Sequence, residues 1–547
     1  MPLLPVLTIA LPLLGAVGTL ALSFFSRARP YTRYIALAVL GATAVLVVLT
    51  RWLAPAVMVL SLWQPSLLFG GALAFRFDAL VQPLALALTL VDLCAVLVDL
   101  SREPNPRPHL TAALLALLAA ALATLWSANF VTMLVCWAIY DWLQAAGQVA
   151  AKRSTRTVIR GLILSSLATL LLWGGVLLSE ERVDSGLWTL MSLDEAQVLP
   201  WALAGMLRLW MYPFHLLAPG DWDSAPVLAV PLFLGSTVGW GLWVRLVSLD
   251  GDFLLNAPLL LAAAAVAVAL GAFMAWSCGT SRCVLRWVGM TVAGAILLAA
   301  GLAGEGAIAV LVVGSVAWAI SMALLFLGSG LSEGLTLRSL LWSIPSLVGM
   351  LALLGTPFTL GFVVQATLLG GLTDGQRPWL WGAVFAGNLF LLPALVRWLF
   401  SSDSPLPVAE PRRRWRLVPC GIGLGLPALL LLVAGLYPPL VVNQVAVPSL
   451  GALLAMPASS GWLVWAVSLA VGGVFAWQEG GLLRRIVLLR RAMHDFLRLE
   501  WAYDILTGAL DRGLSALRAA DEVVGGAGAL LWSLLLFLLL VLVWGGE

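Results

Sequence analysis

The chain has 547 residues, of which 62% are hydrophobic and 10% charged, with a formal net charge of +3. A soluble globular domain carries about 25% charged residues, so the composition excludes a soluble enzyme, a disordered chain and a coiled coil. A net charge this small over this length also excludes a nucleic-acid binder. What remains is a polytopic membrane protein, a class in which 29 Pro and 52 Gly are tolerated.

Each crossing needs about 20 apolar residues. In chain order the candidate spans are 3–25, 34–53, 79–100, 109–126, 128–148, 157–179, 198–216, 225–248, 256–276, 284–303, 306–328, 338–372, 380–400, 416–440, 462–477 and 527–544. The first has no small-residue cleavage site and reads as a retained helix. The stretch 338–372 is interrupted by Pro345 and Pro357 and is counted as one broken crossing, which makes about sixteen. With that count Arg27, Arg29, Arg33, Arg102, Arg107, Lys152, Arg153, Arg156, Arg160, Arg282, Arg286 and Arg412–Arg414 all fall on one side. The positive-inside bias makes that side cytoplasmic, with the N-terminus outside, and the expected location is a bacterial inner (cytoplasmic) membrane. Residues 482–524 are charged but keep apolar residues at helical spacing. They read as an amphipathic helix lying on the membrane or along a partner, broken near Gly508 and Gly513.

Two spans contain helix-breaking prolines, Arg208-Leu-Trp-Met-Tyr-Pro213-Phe-His215 and Gly355-Thr-Pro357-Phe-Thr-Leu-Gly361-Phe362. Proline frees a backbone carbonyl that then needs water, a side chain or an ion. Paired breaks in two halves are the usual mark of a transport site, with a packing kink as the bland alternative. The five cysteines, Cys94, Cys136, Cys278, Cys283 and Cys420, form no C-x-x-C pair and the three histidines are scattered. The expectation is buried free thiols, no metal site and no cofactor. Only one basic residue, Lys152, is a lysine, so a relay built on buried lysines is unavailable. There is no G-x-x-x-x-G-K loop, which excludes an ATP-driven transporter.

Five stretches resemble the antiporter-like membrane subunits of respiratory complex I and of Mrp-type multisubunit cation/proton antiporters. Phe75-Arg76-Phe77-Asp78-Ala79-Leu80 is similar to the opening of that family's third helix, and Ser127 to Trp137 to the start of its fifth. Arg208 to Pro226 resembles its K-x-x-x-x-P-x-H stretch, Ala317 to Gly330 its H-A-L-x-K-A-L-L-F-L motif, and Gly355 to Gln365 its G-x-P-x-x-x-G-F-x-x-K motif. The motifs keep the family's order over roughly residues 70–400. The resemblance implies an all-α membrane fold of two inverted five-helix repeats at 109–248 and 256–400. Around them it implies N-terminal helices at 1–108, further helices at 416–477, a lateral helix at 482–524 and an anchor at 527–544.

The same alignment implies a degenerate proton path. The fifth-helix glutamate becomes Ala138, the seventh-helix lysine Arg208 and the twelfth-helix lysine Gln365. The eleventh-helix His and Lys become Trp318 and Met322, and the eighth-helix position falls near Leu234. Asp141 lies about one turn beyond Ala138 and can pair with Arg208, as a structural ion pair or, alternatively, as a gate or relay. Asp92 and Asp99 share a helix face; Asp99 is expected in solvent and Asp92 in a buried hydrogen bond. His215 reads either as part of a hydrated proton path or as a satisfied buried histidine.

The proton-path candidates are therefore Asp141, Arg208, His215, Gln365 and Asp92, with Pro213, Pro357 and Gly361 at the broken helices. The expected function is an antiporter-like subunit of a multisubunit complex, its proton path largely lost, so that it is structural or weakly conducting. The alternative is a proton- or sodium-moving subunit that powers ion exchange, or inorganic-carbon uptake with a soluble partner. Expected partners are other membrane subunits, membrane lipid and, in the last case, the soluble protein; nucleic acid is not among them.

Overall fold

In a computed structural model, the described residues are 3–52, 56–60, 73–102, 105–178, 188, 195–217, 226–233, 235, 237–251, 253–254, 257–278, 281–329, 337–374, 378–400, 417–442, 445–525 and 533–539. Residues 1–485 and 486–547 form two compact units.

In the first unit the helices α1 (Leu3–Ser23), α2 (Thr32–Leu49), α3 (Gln82–Arg102) and α4 (Pro108–Leu125) come first. They are followed by α5 (Phe130–Ala150), α6 (Thr155–Leu177), α7 (Glu195–Arg208) and α8 (Thr237–Leu249). Next come α9 (Pro258–Ser277), α10 (Ser281–Leu302), α11 (Ala307–Gly328), α12 (Leu337–Leu353), α13 (Phe362–Asp374), α14 (Pro378–Phe400) and α15 (Leu417–Leu436). Helix α16 (Ser459–Leu497) runs on into the second unit, which also holds α17 (Glu500–Gly525).

Among the described residues, 13 helical stretches are long and apolar enough to cross a membrane. The other three expected spans are of a different kind. Residues 198–216 end in α7 and a break, 338–372 is split into α12 and α13, and of 527–544 only 533–539 are described, as helix.

Helix α11 is apolar all round and buried along its length, as such a helix must be. It packs on α3, α8, α10 and α12 and so sits at the core of the first unit.

A two-stranded antiparallel hairpin stands outside the all-helical expectation. Strand β1 (Ala56–Leu60) pairs with β2 (Leu73–Phe77), Ala56 opposite Phe77 and Leu60 opposite Leu73. The Phe75–Asp78 motif is therefore a strand and turn, and α3 begins at Gln82 rather than 79. The edge of β2 continues onto the chain before α5, with Arg76 N–H donating to Trp126 O (2.7 Å) and Ala128 N–H to Ala74 O (2.9 Å). Asn129 caps α5 by accepting from Thr132 N–H (2.8 Å), while Thr132 Oγ1 accepts from Ala74 N–H (2.8 Å). The Ser-Ala-Asn-Phe-Val-Thr run thus welds the hairpin to the start of α5.

Two further expectations are corrected. Asp99 is buried, not solvated: Arg33 of α2 reaches it, Nε to Oδ2, at 2.8 Å. The C-terminal amphipathic segment does not break at Gly508 or Gly513. The break lies at Leu499, whose φ of +57° ends α16, with Arg498 and Glu500 paired at 2.7 Å across it. Glycine weakens a helix without ending it. A residue in the left-handed region does end one.

Candidate functional site

Helices α5, α6 and α7 pack side by side. Arg208 is the last residue of α7, where the chain leaves helical geometry before Pro213. Trp210, two residues on, has a φ of +54°. The break delivers the Arg208 guanidinium to Asp141 on α5. Nη1 donates to Asp141 Oδ1 and Nη2 to Oδ2 (2.8 Å), a bidentate fork. Nη2 also donates to Thr169 Oγ1 (2.8 Å) and Ser165 O (3.1 Å) on α6. The guanidinium lies 4.3 Å from the centre of the Trp137 ring, a cation–π contact worth most where it is desolvated. Both charged side chains are buried. Sequence reasoning missed Trp137, Ser165 and Thr169 in this role. Only the spacing of Trp137, one turn before Asp141, offered a signal.

Both members of the pair line a cleft that is partly open to the surface. Tyr140, Gln144, Gln148, Ser165 and Trp210 line it. Gln144 and Gln148 lie three and seven residues beyond Asp141, hence on about the same face of α5. Gln144 donates to Leu232 O (3.1 Å), and the buried Oε1 of Gln148 has no hydrogen-bond partner among the described residues. The walls are polar, and the only full charges among these residues, Asp141 and Arg208, neutralise each other.

His215 lies in a short 3-10 turn after Pro213 and is 1% exposed. Its ring stacks on Tyr212, with centroids 5.3 Å apart, and tilts against Trp287 at 4.6 Å. Its backbone oxygen accepts from Arg286 Nη2 of α10, so a carbonyl in the broken segment is answered by a guanidinium. From the sequence Arg286 was only one of the charges setting orientation. Together with Trp210, Trp287, Met290 and Trp318, His215 and Arg286 line a second, smaller cavity. Trp210 lines both cavities and stands between them.

Trp318 Nε1 donates to Gly289 O (2.9 Å), and Met322 packs on the same glycine. Gln365 is 8% exposed, and its Nε2 finds no acceptor among the described residues. Gly355 takes a φ of +63° beside Gln365, and Gly361 lies against the Ala352 carbonyl. Pro357 sits in the turn between α12 and α13. Asp92 is 3% exposed on α3, and the hydrogen bond expected for it is not among those of the described residues. The structure thus pairs Asp141 directly with Arg208, while His215 lines the second cavity, Gln365 lies at the second break and Asp92 lies on α3. The eighth-helix position, Leu234, lies outside the described residues.

At the other end of α8, Arg245 Nη1 donates to Asp78 Oδ2 (2.5 Å), with Arg76 Nε 3.3 Å from the same oxygen. Both Asp78 and Arg245 are 1% exposed at the side chain. This pair locks the turn after β2 to α8.

The thiol expectation is corrected in part. Cys278 and Cys283 form a disulfide, whereas Cys94, Cys136 and Cys420 are free and buried. A five-residue separation matches no familiar motif, and the loop geometry that closes it is invisible to spacing.

No protein-family model matches the chain. It is 28% identical over 314 residues to NADH-quinone oxidoreductase subunit N of Chromohalobacter salexigens, a match covering 51% of this chain and 65% of that protein. It therefore spans just under two thirds of that relative. A chain of the Mrp complex from Dietzia sp. DQ12-45-1b superposes with a TM-score of 0.76 at 18% identity, over 99% of this chain and 62% of that one. A chain of the membrane-bound sulfane sulfur reductase, an archaeal respiratory membrane complex, gives a TM-score of 0.74 at 17% identity, over 98% and 99%. The chain shares the fold of these two chains.

Proposed function

We propose that the chain is an antiporter-like membrane subunit of a multisubunit complex related to NADH-quinone oxidoreductase or to Mrp antiporters, and that it serves that complex mainly as a structural, non-pumping module. The likeness to the complex subunits supports the first half. The Arg208–Asp141 fork carries the second. A relay needs a group that takes up and releases a proton, and arginine effectively does not. Five contacts, from Asp141 (two), Thr169, Ser165 and Trp137, hold this guanidinium in place. The packed Trp318 and Met322 support the same reading for the second half.

The polar cleft beside Asp141 favours one alternative, residual proton or sodium movement confined to the first half. Two measurements separate the readings. Native purification in mild detergent followed by mass spectrometry is expected to recover other membrane subunits with the chain; recovery of the chain alone would overturn the complex-subunit proposal. In proteoliposomes, pH-gradient-driven flux through the complex is expected to be the same for wild type and Asp141→Asn. A drop of about tenfold or more, the scale on which a lost relay group is felt, would favour the conducting alternative.

A further inference from the structure

The loop between α9 and α10 carries chemistry that the Asp141–Arg208 site does not use. Cys278 is the residue after α9, its N–H bonded to Met274 O (3.0 Å), and Cys283 lies in the first turn of α10. Their Cα atoms are 6.0 Å apart and their sulfurs are joined. Cys278 is 2% exposed, whereas Cys283 is half-buried. Of the two, Cys283 is the less buried and hence the one a small reagent meets first.

The distribution of arginines puts this loop, with Arg282 and Arg286, on the side read as cytoplasmic. In a reducing compartment a permanent disulfide is rare, and those that form are mostly transient or sensing. The two ends joined are also not equivalent. Arg397 of α14 donates to Ala275 O (3.2 Å) and Cys278 O (3.1 Å), which anchors the end of α9. Arg286, one turn beyond Cys283, donates to the backbone of His215 in the first broken segment. The bond thus fastens the start of α10, and Arg286 with it, to an anchored point.

We propose that Cys278 and Cys283 are a reversible dithiol–disulfide couple, oxidised and reduced by a low-molecular-weight thiol–disulfide pair of the glutathione class. In oxidation the Cys283 thiolate attacks the small disulfide, forms a mixed disulfide and releases one small thiol. The Cys278 thiolate then displaces the second small thiol and closes the protein disulfide. Two protein thiols are oxidised and one small disulfide is reduced to two thiols; the reverse sequence opens the bond. The inference is independent of whether the chain conducts ions.

The sequence supplies a readout. Trypsin cuts after Arg245, Arg282 and Arg286, so the oxidised form yields peptide 246–282 linked to the tetrapeptide Cys283–Arg286, and the reduced form yields the two apart. Membrane vesicles holding the full chain are equilibrated in glutathione buffers of graded ratio, quenched with acid, blocked with N-ethylmaleimide and digested. The linked-to-free ratio is expected to rise about tenfold for each 30 mV of more oxidising poise and to fall back with dithiothreitol. A ratio that stays flat across the series, whether all linked or all free, overturns the proposal. Cys278→Ser removes the second thiol and is expected to leave glutathione trapped on Cys283; a bare Cys283 in the same oxidising buffer overturns the assigned order of attack.

Discussion

At the scale of single residues, the Asp141–Arg208 pair decides how the chain is to be read. Removing one member of a buried pair leaves the other charge uncompensated and costs about 3–5 kcal/mol, whereas replacing both by apolar residues is often neutral. Arg208→Met and Asp141→Leu are each expected to lower the thermal midpoint in detergent, and the double variant is expected to recover most of the loss. A double variant as unstable as the sum of the singles would mean that the pair does not act as a unit. The pairing was legible because Asp141 falls one helical turn past a position that the resemblance marks. Its support was not: Ser165, Thr169 and Trp137 meet the guanidinium only through the packing of α5, α6 and α7. Asp99 shows the same limit. Its place near a helix end suggested solvent, but burial depends on Arg33 of another helix.

At the scale of elements, the two proline breaks were legible from Pro213 and Pro357, because a missing N–H and a ring clash act locally. The hairpin was not, since Ala56–Leu60 and Leu73–Phe77 are apolar runs without a simple two-residue turn between them. Nor was the bend at Leu499, where a bulky residue adopts a backbone conformation that composition does not announce. The second break depends on how closely backbones approach. A Cβ on Gly361 would fall 1.8 Å from Ala352 O, and one on Gly435 of α15 within 2.5 Å of Phe358 O. By contrast, nothing among the described residues lies within 4 Å of a Cβ built on Gly421 or Gly425 of the same helix α15. Gly361→Ala and Gly435→Ala are expected to reduce the monodisperse yield sharply. Gly421→Ala and Gly425→Ala should be neutral or stabilise by up to about 1 kcal/mol, the helix-propensity gain. Equal effects at all four positions would remove the case for a tightly packed break.

At the scale of the whole molecule, the first unit holds the candidate site and the second holds α17, on which Trp501, Ile505, Leu514 and Leu517 are exposed. A chain ending at Leu497 is expected to purify as a monodisperse protein with a thermal midpoint close to that of the full chain, and to recover fewer membrane subunits in native mass spectrometry. Aggregation of the shortened chain would show that the first unit is not self-sufficient. Unchanged recovery of subunits would remove the bracing role from the C-terminal helices.

The turn after α5 makes the molecule unusually simple to address from outside. Lys152 stands there exposed, at a φ of +60°, and no other lysine exists in the chain. A membrane-impermeant amine reagent therefore has one side chain to find, eleven residues from Asp141. Applied to vesicles of known sidedness and read on the peptide that contains residue 152, it reports which face of the bilayer that turn occupies. Inside-out vesicles are expected to be labelled and right-side-out vesicles spared; the opposite pattern would invert the orientation inferred from the arginines. A fluorophore could be placed on this turn by the same reaction without any engineered residue.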